Sequence, residues 1–214
     1  MEELLKYENE LKNNGIHIIG GCDEAGRGPL FGPVVASCVV LKDDFDIKGI
    51  NDSKKLSEKK RCEYYDYIMD NCIVGISVIS NEIIDKINIY EASRLAMMNA
   101  IDIVRKKVKL EFVLTDAMKL PDLDIGHLPI IKGDSKSASI AAASIIAKVT
   151  RDRIMYDYDI KYPQYEFGKH KGYPTKRHIE LLNKYGIIDG YRLTYGPVKK
   201  ILEGDSNATE ELSK

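Results

Sequence analysis

The sequence predicts an α/β domain with a mixed sheet flanked by helices and a helical extension toward its C-terminal end. Three observations support this. Two strand-like apolar runs, 16–22 and 34–41, lie close together near the start; helical and strand-like stretches alternate from residue 57; and beyond 162 only loops and short helical patterns remain.

Ile16–Cys22 reads as a buried strand, Gly32-Pro33 as a turn, and Val34–Leu41 as a second strand. Too few residues separate the two for a crossover helix, so they are predicted to be antiparallel. Ser57–Asp70 reads as a helix capped by Ser57, and the β-branched Ile73–Ile79 as a third strand. Apolar residues at 92, 95, 96, 98, 101, 103 and 104 predict an amphipathic helix over Ile89–Lys107. Phe112–Leu114 forms a short strand ending on Thr115-Asp116, and Leu128–Ile131 another. Ile140–Met155 is the most apolar helical stretch, and its Ala141-Ala142-Ala143-Ser144 face is small enough to pack closely on a sheet. Lys176–Tyr185 is the clearest helix of the remainder.

A length of 214 residues suits one domain, divided as a core over 16–160, a basic helical extension over 161–200 and a flexible polar tail over 203–214. The composition is globular, with 44% hydrophobic and 30% charged residues. Cysteines at 22, 38, 62 and 72 lack zinc-type spacing or a short disulfide framework, which fits a reducing cytoplasm. The first twelve residues lack a signal-peptide core, and the longest apolar run, Val34–Leu41, is too short to span a membrane. A monomer without membrane association is expected. The net charge of −1 does not advertise nucleic-acid binding, but 161–200 carries nine Lys or Arg against three acids, with tyrosines at 162, 165, 173, 185, 191 and 195 between them. Basic groups interleaved with aromatic rings suit a nucleic-acid surface, whereas a solvated helix face accounts for part of the same pattern.

The acids carry more information. Asp23-Glu24 ends the first predicted strand and leads into Gly26-Arg27-Gly28. Adjacent like charges repel, and a divalent cation cancels that repulsion. The glycines let backbone approach a ligand, and the arginine can pair with phosphate. On a regular strand Asp23 and Glu24 face opposite ways, so they can share a site only if the chain bends, and Ala25-Gly26 allows that. Asp116 ends another strand, and Asp134 precedes the apolar helix. Taken singly, Asp134 reads as a helix cap and Asp116 as a loop acid; together the four carboxylates read as an oxygen-only site for Mg²⁺ or Mn²⁺. Asp43, Asp44, Asp46 and Asp52 read as solvated or capping.

The chain resembles ribonuclease HII. The matching segments are Asp23-Glu24-Ala25-Gly26-Arg27-Gly28-Pro29, Asp52-Ser53-Lys54-Lys55-Leu56, Thr115-Asp116-Ala117, Lys132-Gly133-Asp134, Ser139–Lys148 with Arg151-Asp152-Arg153, and His170–His178, in the family's order over about 16–200. The resemblance implies a ribonuclease H-like fold and endonucleolytic cleavage of RNA in RNA–DNA hybrids and of single ribonucleotides in duplex DNA. It implies that Asp23, Glu24, Asp116 and Asp134 are the catalytic acids and hold two divalent ions, Mn²⁺ or Mg²⁺, and that the products carry 5′-phosphate and 3′-hydroxyl ends. It further implies that Gly26, Arg27 and Gly28 sense the 2′-hydroxyl, that Tyr173 packs on the deoxyribose at the RNA–DNA junction, and that Lys54 and Lys55 contact phosphate. The sister family, ribonuclease HIII, typically has lysine at the position of Arg27 and an added N-terminal domain, so Arg27 and the short leader favour HII. Two other readings compete. A non-catalytic nucleic-acid-binding module would need the basic region but not four acids in register. A P-loop hydrolase, suggested by Gly133-Asp134-Ser135-Lys136-Ser137, fails because the first glycine of that motif is missing.

Overall fold

The computed structural model describes residues 2–47, 50 and 56–204. Five strands, β1 (Ile19–Ala25), β2 (Val34–Leu41), β3 (Cys72–Ile79), β4 (Phe112–Asp116) and β5 (Gly126–Ile130), form one sheet in the order β3-β2-β1-β4-β5. β1 and β2 pair antiparallel, as the short connection requires, and so do β2 and β3. β4 lies parallel to both β1 and β5, so the sheet is mixed.

β1 is displaced toward the C-terminus of its predicted range. Before Ile19 the backbone contact narrows to the Ile18 carbonyl, which accepts from the Glu111 amide (2.9 Å), while Glu111 Oε2 accepts from the amides of His17 (2.7 Å) and Ile18 (2.9 Å). At its other end β1 continues through Asp23 and Glu24 to Ala25, which stays in register with Val35.

Helix α1 (Lys6–Asn13) precedes the sheet, α2 (Glu58–Asn71) and α3 (Asn81–Arg105) flank β3, and α4 (Ala138–Lys161) follows β5. On one face α3 buries Ala92, Ala96, Met97, Ala100 and Ile101 against Cys22, Ala36 and Cys38. On the other face α4 buries its alanines and isoleucines, with Ile68 of α2, against Val39 and Val74. Cys22 and Cys38 are register partners in this core, and both are free thiols.

Two helices differ from expectation in instructive ways. α3 begins eight residues early, with a break at Asn88 (φ +66°), whose Oδ1 accepts from the amides of Tyr90 and Glu91. Asn88 therefore caps the segment the periodicity identified, and another helical turn precedes it. α4 is capped by Ser137, whose hydroxyl accepts from the Ile140 amide, and not by Asp134, which lies in a short 3-10 turn over Gly133–Ser135.

The extension contains α5 (Phe167–His170), α6 (Lys176–Tyr185) and α7 (Gly196–Leu202). It packs around Phe31, which stacks on Phe167 with centroids 4.0 Å apart and meets Tyr158 and Tyr191 edge-on. Backbone hydrogen bonds from Leu30 to Gly172, Gly32 to Gly190 and Arg192 to Leu30 tie the extension to the loop after β1. Among the described residues no helix is long and apolar enough to cross a membrane.

Candidate active site

The register Cys22↔Thr115 places Asp23 and Asp116 one residue further on, at the C-terminal ends of neighbouring parallel strands. Asp23 Oδ1 accepts from the Glu24 amide (2.8 Å), and Asp23 also bonds the Ser144 hydroxyl of α4. The expected bend between the two acids is absent, since β1 stays paired through Ala25 and turns only at Gly26 (φ +101°), yet both acids line one open cavity of about 480 Å³ with Asp116, Arg27 and Tyr173. Glu24 Oε1 lies 3.4 Å from Arg27 Nη1, and its Oε2 is buried with no hydrogen-bond partner.

Electrostatics marks this cluster as strained. Burial, then the charges of Glu24 and Asp116, push the Asp23 carboxyl well above the ordinary range. Burial also raises Glu24, and Arg27 partly offsets that. A buried orphan oxygen beside mutually repelling carboxylates suits a hard cation with oxygen ligands, so these residues fit Mg²⁺ or Mn²⁺. Among the described residues no three acidic, His or Cys side chains form a ready metal cage. An open site of this kind suits ions that keep water and phosphate oxygens among their ligands.

Asp134 is buried but does not line the cavity. It is held one residue from Gly133, whose amide donates to Asp116 Oδ1 (2.8 Å). The sequence thus identified three acids that the fold gathers at one cavity and a fourth on the turn docked to Asp116.

Two buried arginines lie behind the glycine loop, Arg192 bonding it and Arg151 packing against Gly26. Arg192 donates to the carbonyls of Gly26 (2.6 Å), Arg27 (3.0 Å) and Gly32 (3.0 Å), and Tyr195 Oη donates to Arg27 (2.8 Å). Arg151 donates to the carbonyls of Phe31, Pro33 and Lys171. A side chain at Gly26 would run into Arg151, its Cβ only 2.2 Å from Nε, so that position requires glycine for space as well as for φ. Tyr173 faces the loop: a Cβ on Gly28 would lie 3.4 Å from its ring, and Arg151 reaches the same ring at 5.9 Å.

These contacts remove part of the basic, aromatic pattern of 161–200 from the surface, while Lys161, Lys176, Lys184 and Lys199 stay exposed. Arg192, Tyr165 and Tyr191 are buried structural groups. Lys169 and Arg177 both pair with Glu166, and Lys171 is half-buried over the Tyr156 ring. Counting charges missed this because a buried arginine and an exposed one look alike in sequence. The cavity does contain cations to which sequence reasoning gave no role: Arg61 of α2, and Lys148 of α4, which is clamped by both oxygens of Asp152. The only signal for Lys148 was its place in the Ser139–Lys148 segment. Lys54 and Lys55 lie outside the described residues.

The family profile described as Ribonuclease HII matches residues 20–195. The ribonuclease HII of Bacillus mycoides is 51% identical over 202 residues, covering 94% of this chain and 77% of its own length. Among solved structures, the ribonuclease H2 of Pyrococcus horikoshii superposes with a TM-score of 0.76 at 28% identity, covering 88% of this chain and 99% of that one. A Bst ribonuclease HIII in complex with Mn²⁺ shares the fold, with a TM-score of 0.68 at 20% identity and coverage of 88% and 70%.

Proposed function

This chain belongs to the ribonuclease HII family and is a ribonuclease H enzyme, and from that premise we propose that it cuts both RNA–DNA hybrids and single ribonucleotides in duplex DNA. The observation that carries the proposal is one cavity lined by Asp23, Glu24, Asp116, the Gly26-Arg27-Gly28 loop and Tyr173. It joins a phosphodiester-cleaving acid cluster to a device able to distinguish ribose from deoxyribose.

Asp23, Glu24, Asp116 and Asp134 would hold two divalent ions, Mn²⁺ or Mg²⁺. Such ions, when bound, make water nucleophilic at neutral pH and stabilise the departing 3′-oxygen, which gives 5′-phosphate and 3′-hydroxyl ends. Arg27, beside Glu24, and Lys148 and Arg61 across the cavity supply positive charge for the phosphates. Arg192 bonds the carbonyls of Gly26 and Arg27, and Tyr195 also bonds that of Arg27, which holds the loop's remaining polar groups in a fixed geometry for a 2′-hydroxyl. Tyr173, exposed opposite Gly28, offers a flat ring to the neighbouring sugar, where a deoxyribose fits best.

The test uses three duplexes: an RNA–DNA hybrid, DNA with one embedded ribonucleotide, and DNA alone, each with Mn²⁺ or Mg²⁺. The first two are expected to be cut and the third not, because polar groups built for the missing hydroxyl are left unpaired. Tyr173→Ala is expected to slow cleavage at the lone ribonucleotide more than cleavage of the hybrid. Equal losses on both would reduce Tyr173 to packing. Cleavage of the all-DNA duplex at comparable rate would overturn the hydroxyl reading.

A further inference from the structure

The N-terminal helix makes one connection that the reading above does not use. Glu8 of α1 is 96% buried, as its exposure of 4% states, although it is a charged residue on a helix near the chain start. Its Oε1 accepts from the Ser137 hydroxyl (2.6 Å), the Ser139 hydroxyl (2.7 Å) and the Ser139 amide (3.0 Å), groups 129 to 131 residues away in sequence. These are the cap and the first turn of α4. Ser137 in turn donates its amide to the Gly133 carbonyl (2.9 Å), which closes the turn carrying Asp134. The amides at the start of a helix have no intrahelical partners, and a carboxylate there is favoured by the helix dipole.

A simple cap would need no carboxylate brought from another helix, since Ser137 already caps α4. Glu8 instead sets where the head of α4 lies. β1 presses on the same point, because a Cβ on Gly21 would come within 2.1 Å of the Ser139 backbone. Tyr7 and Leu11 of α1 pack with Ile19, Leu114, Ile130 and Ile140, so α1 is anchored to the strands that carry Asp23 and Asp116. The carboxylate thus connects the frame holding two of the acids to the turn holding the fourth and to the helix holding Ser144.

We propose that Glu8 is a positioning residue: through Ser137 and Ser139 it holds the Asp134 turn and the head of α4 at the distance from Asp23 and Asp116 that metal binding requires. This rests on the site reading given under Proposed function. It assigns to α1 a part in the reaction, not only in stability.

Glu8→Ala, Glu8→Gln and Asp134→Asn test this in the full chain, with folding checked by circular dichroism at the assay temperature. Binding of Mn²⁺ alone is read from the free-ion electron paramagnetic resonance signal, and kcat and KM are measured separately. Glu8→Ala is expected to weaken Mn²⁺ binding by about tenfold or more and to lower kcat, with KM for duplex within about twofold. Glu8→Gln keeps an acceptor oxygen and is expected to recover most of both. Parental Mn²⁺ affinity and kcat in folded Glu8→Ala, with Asp134→Asn inactive, would overturn the latch alone. Parental metal binding and cleavage in Asp134→Asn would overturn the site reading on which it rests. If Glu8→Ala does not fold, Ser139→Ala carries the test: a smaller loss of Mn²⁺ affinity in the same direction supports the latch, and no change overturns it.

Discussion

Asp23 is held against its own chemistry. Its carboxyl is pushed upward by burial and by two neighbouring acids, so above the ordinary carboxylate range the folded protein binds more protons than the unfolded chain. The contribution of Asp23 to stability therefore falls as pH rises through that window, and at neutral pH the acid cluster costs stability in the absence of metal. Asp23→Asn is expected to lower cleavage by at least about 100-fold. The same variant should unfold at an equal or higher temperature than the parent in chelator. Thermal melts with and without Mn²⁺, beside a cleavage assay, check both parts; a clear loss of stability in chelator would show that the cluster is not strained. Asp23, Glu24 and Asp116 were legible because acids at strand ends are chemically conspicuous. Arg192 was not, because its role depends on burial beneath three carbonyls 160 to 166 residues away, and nothing local records that.

Elements show a similar division. β2 and α6 have the bounds the sequence predicts: β2 is a short apolar run buried on both faces, and α6 presents one apolar face. α3 was shortened in the reading because Asn88 is a capping residue inside what the fold makes one kinked helix. α4 was identified by its alanines, and their purpose appears in the contact with β1. Gly21→Ala places a Cβ against the Ser139 backbone, which no rotamer change can relieve, so α4 must move away from the sheet. The expected cost is about 1–3 kcal/mol. Because α4 carries Ser144 and Lys148, activity measured well below the melting temperature should fall as well. Urea unfolding and kcat measured together decide this, and a destabilised but fully active variant would mean that the α4 position tolerates the shift.

At the scale of the whole molecule, the extension closes the site from the side opposite the acids. Behind Tyr173, His170 and His178 stack with centroids 4.1 Å apart, and His178 bonds the Tyr173 carbonyl and the Tyr191 hydroxyl. Burial and the neighbouring His170 lower His178 to about 4. Between that value and about 6.5 the unfolded chain binds the extra proton, so the contribution of His178 to stability rises with pH, is fully present above about 6.5 and is lost as pH falls. The expected contribution is on the order of 3 kcal/mol. Urea unfolding of the parent and of His178→Gln from pH 4.5 to 7.5 separates this contribution from the opposite one of Asp23: the stability of the parent relative to the variant should rise with pH, and a constant difference would remove His178 as a cause. By itself the sequence determined the mixed α/β class, the family resemblance and the acids, because periodicity, turn residues and clustered charge are written locally. Only the tertiary structure decided that Glu24 joins Asp23 at one cavity, that Arg192 bonds the glycine loop from behind, that Arg192, Tyr165 and Tyr191 of the expected basic, aromatic face are buried, and that Glu8 reaches α4. Each of these is a contact across the chain, set by which surfaces the five-stranded sheet and the packed helices bring together.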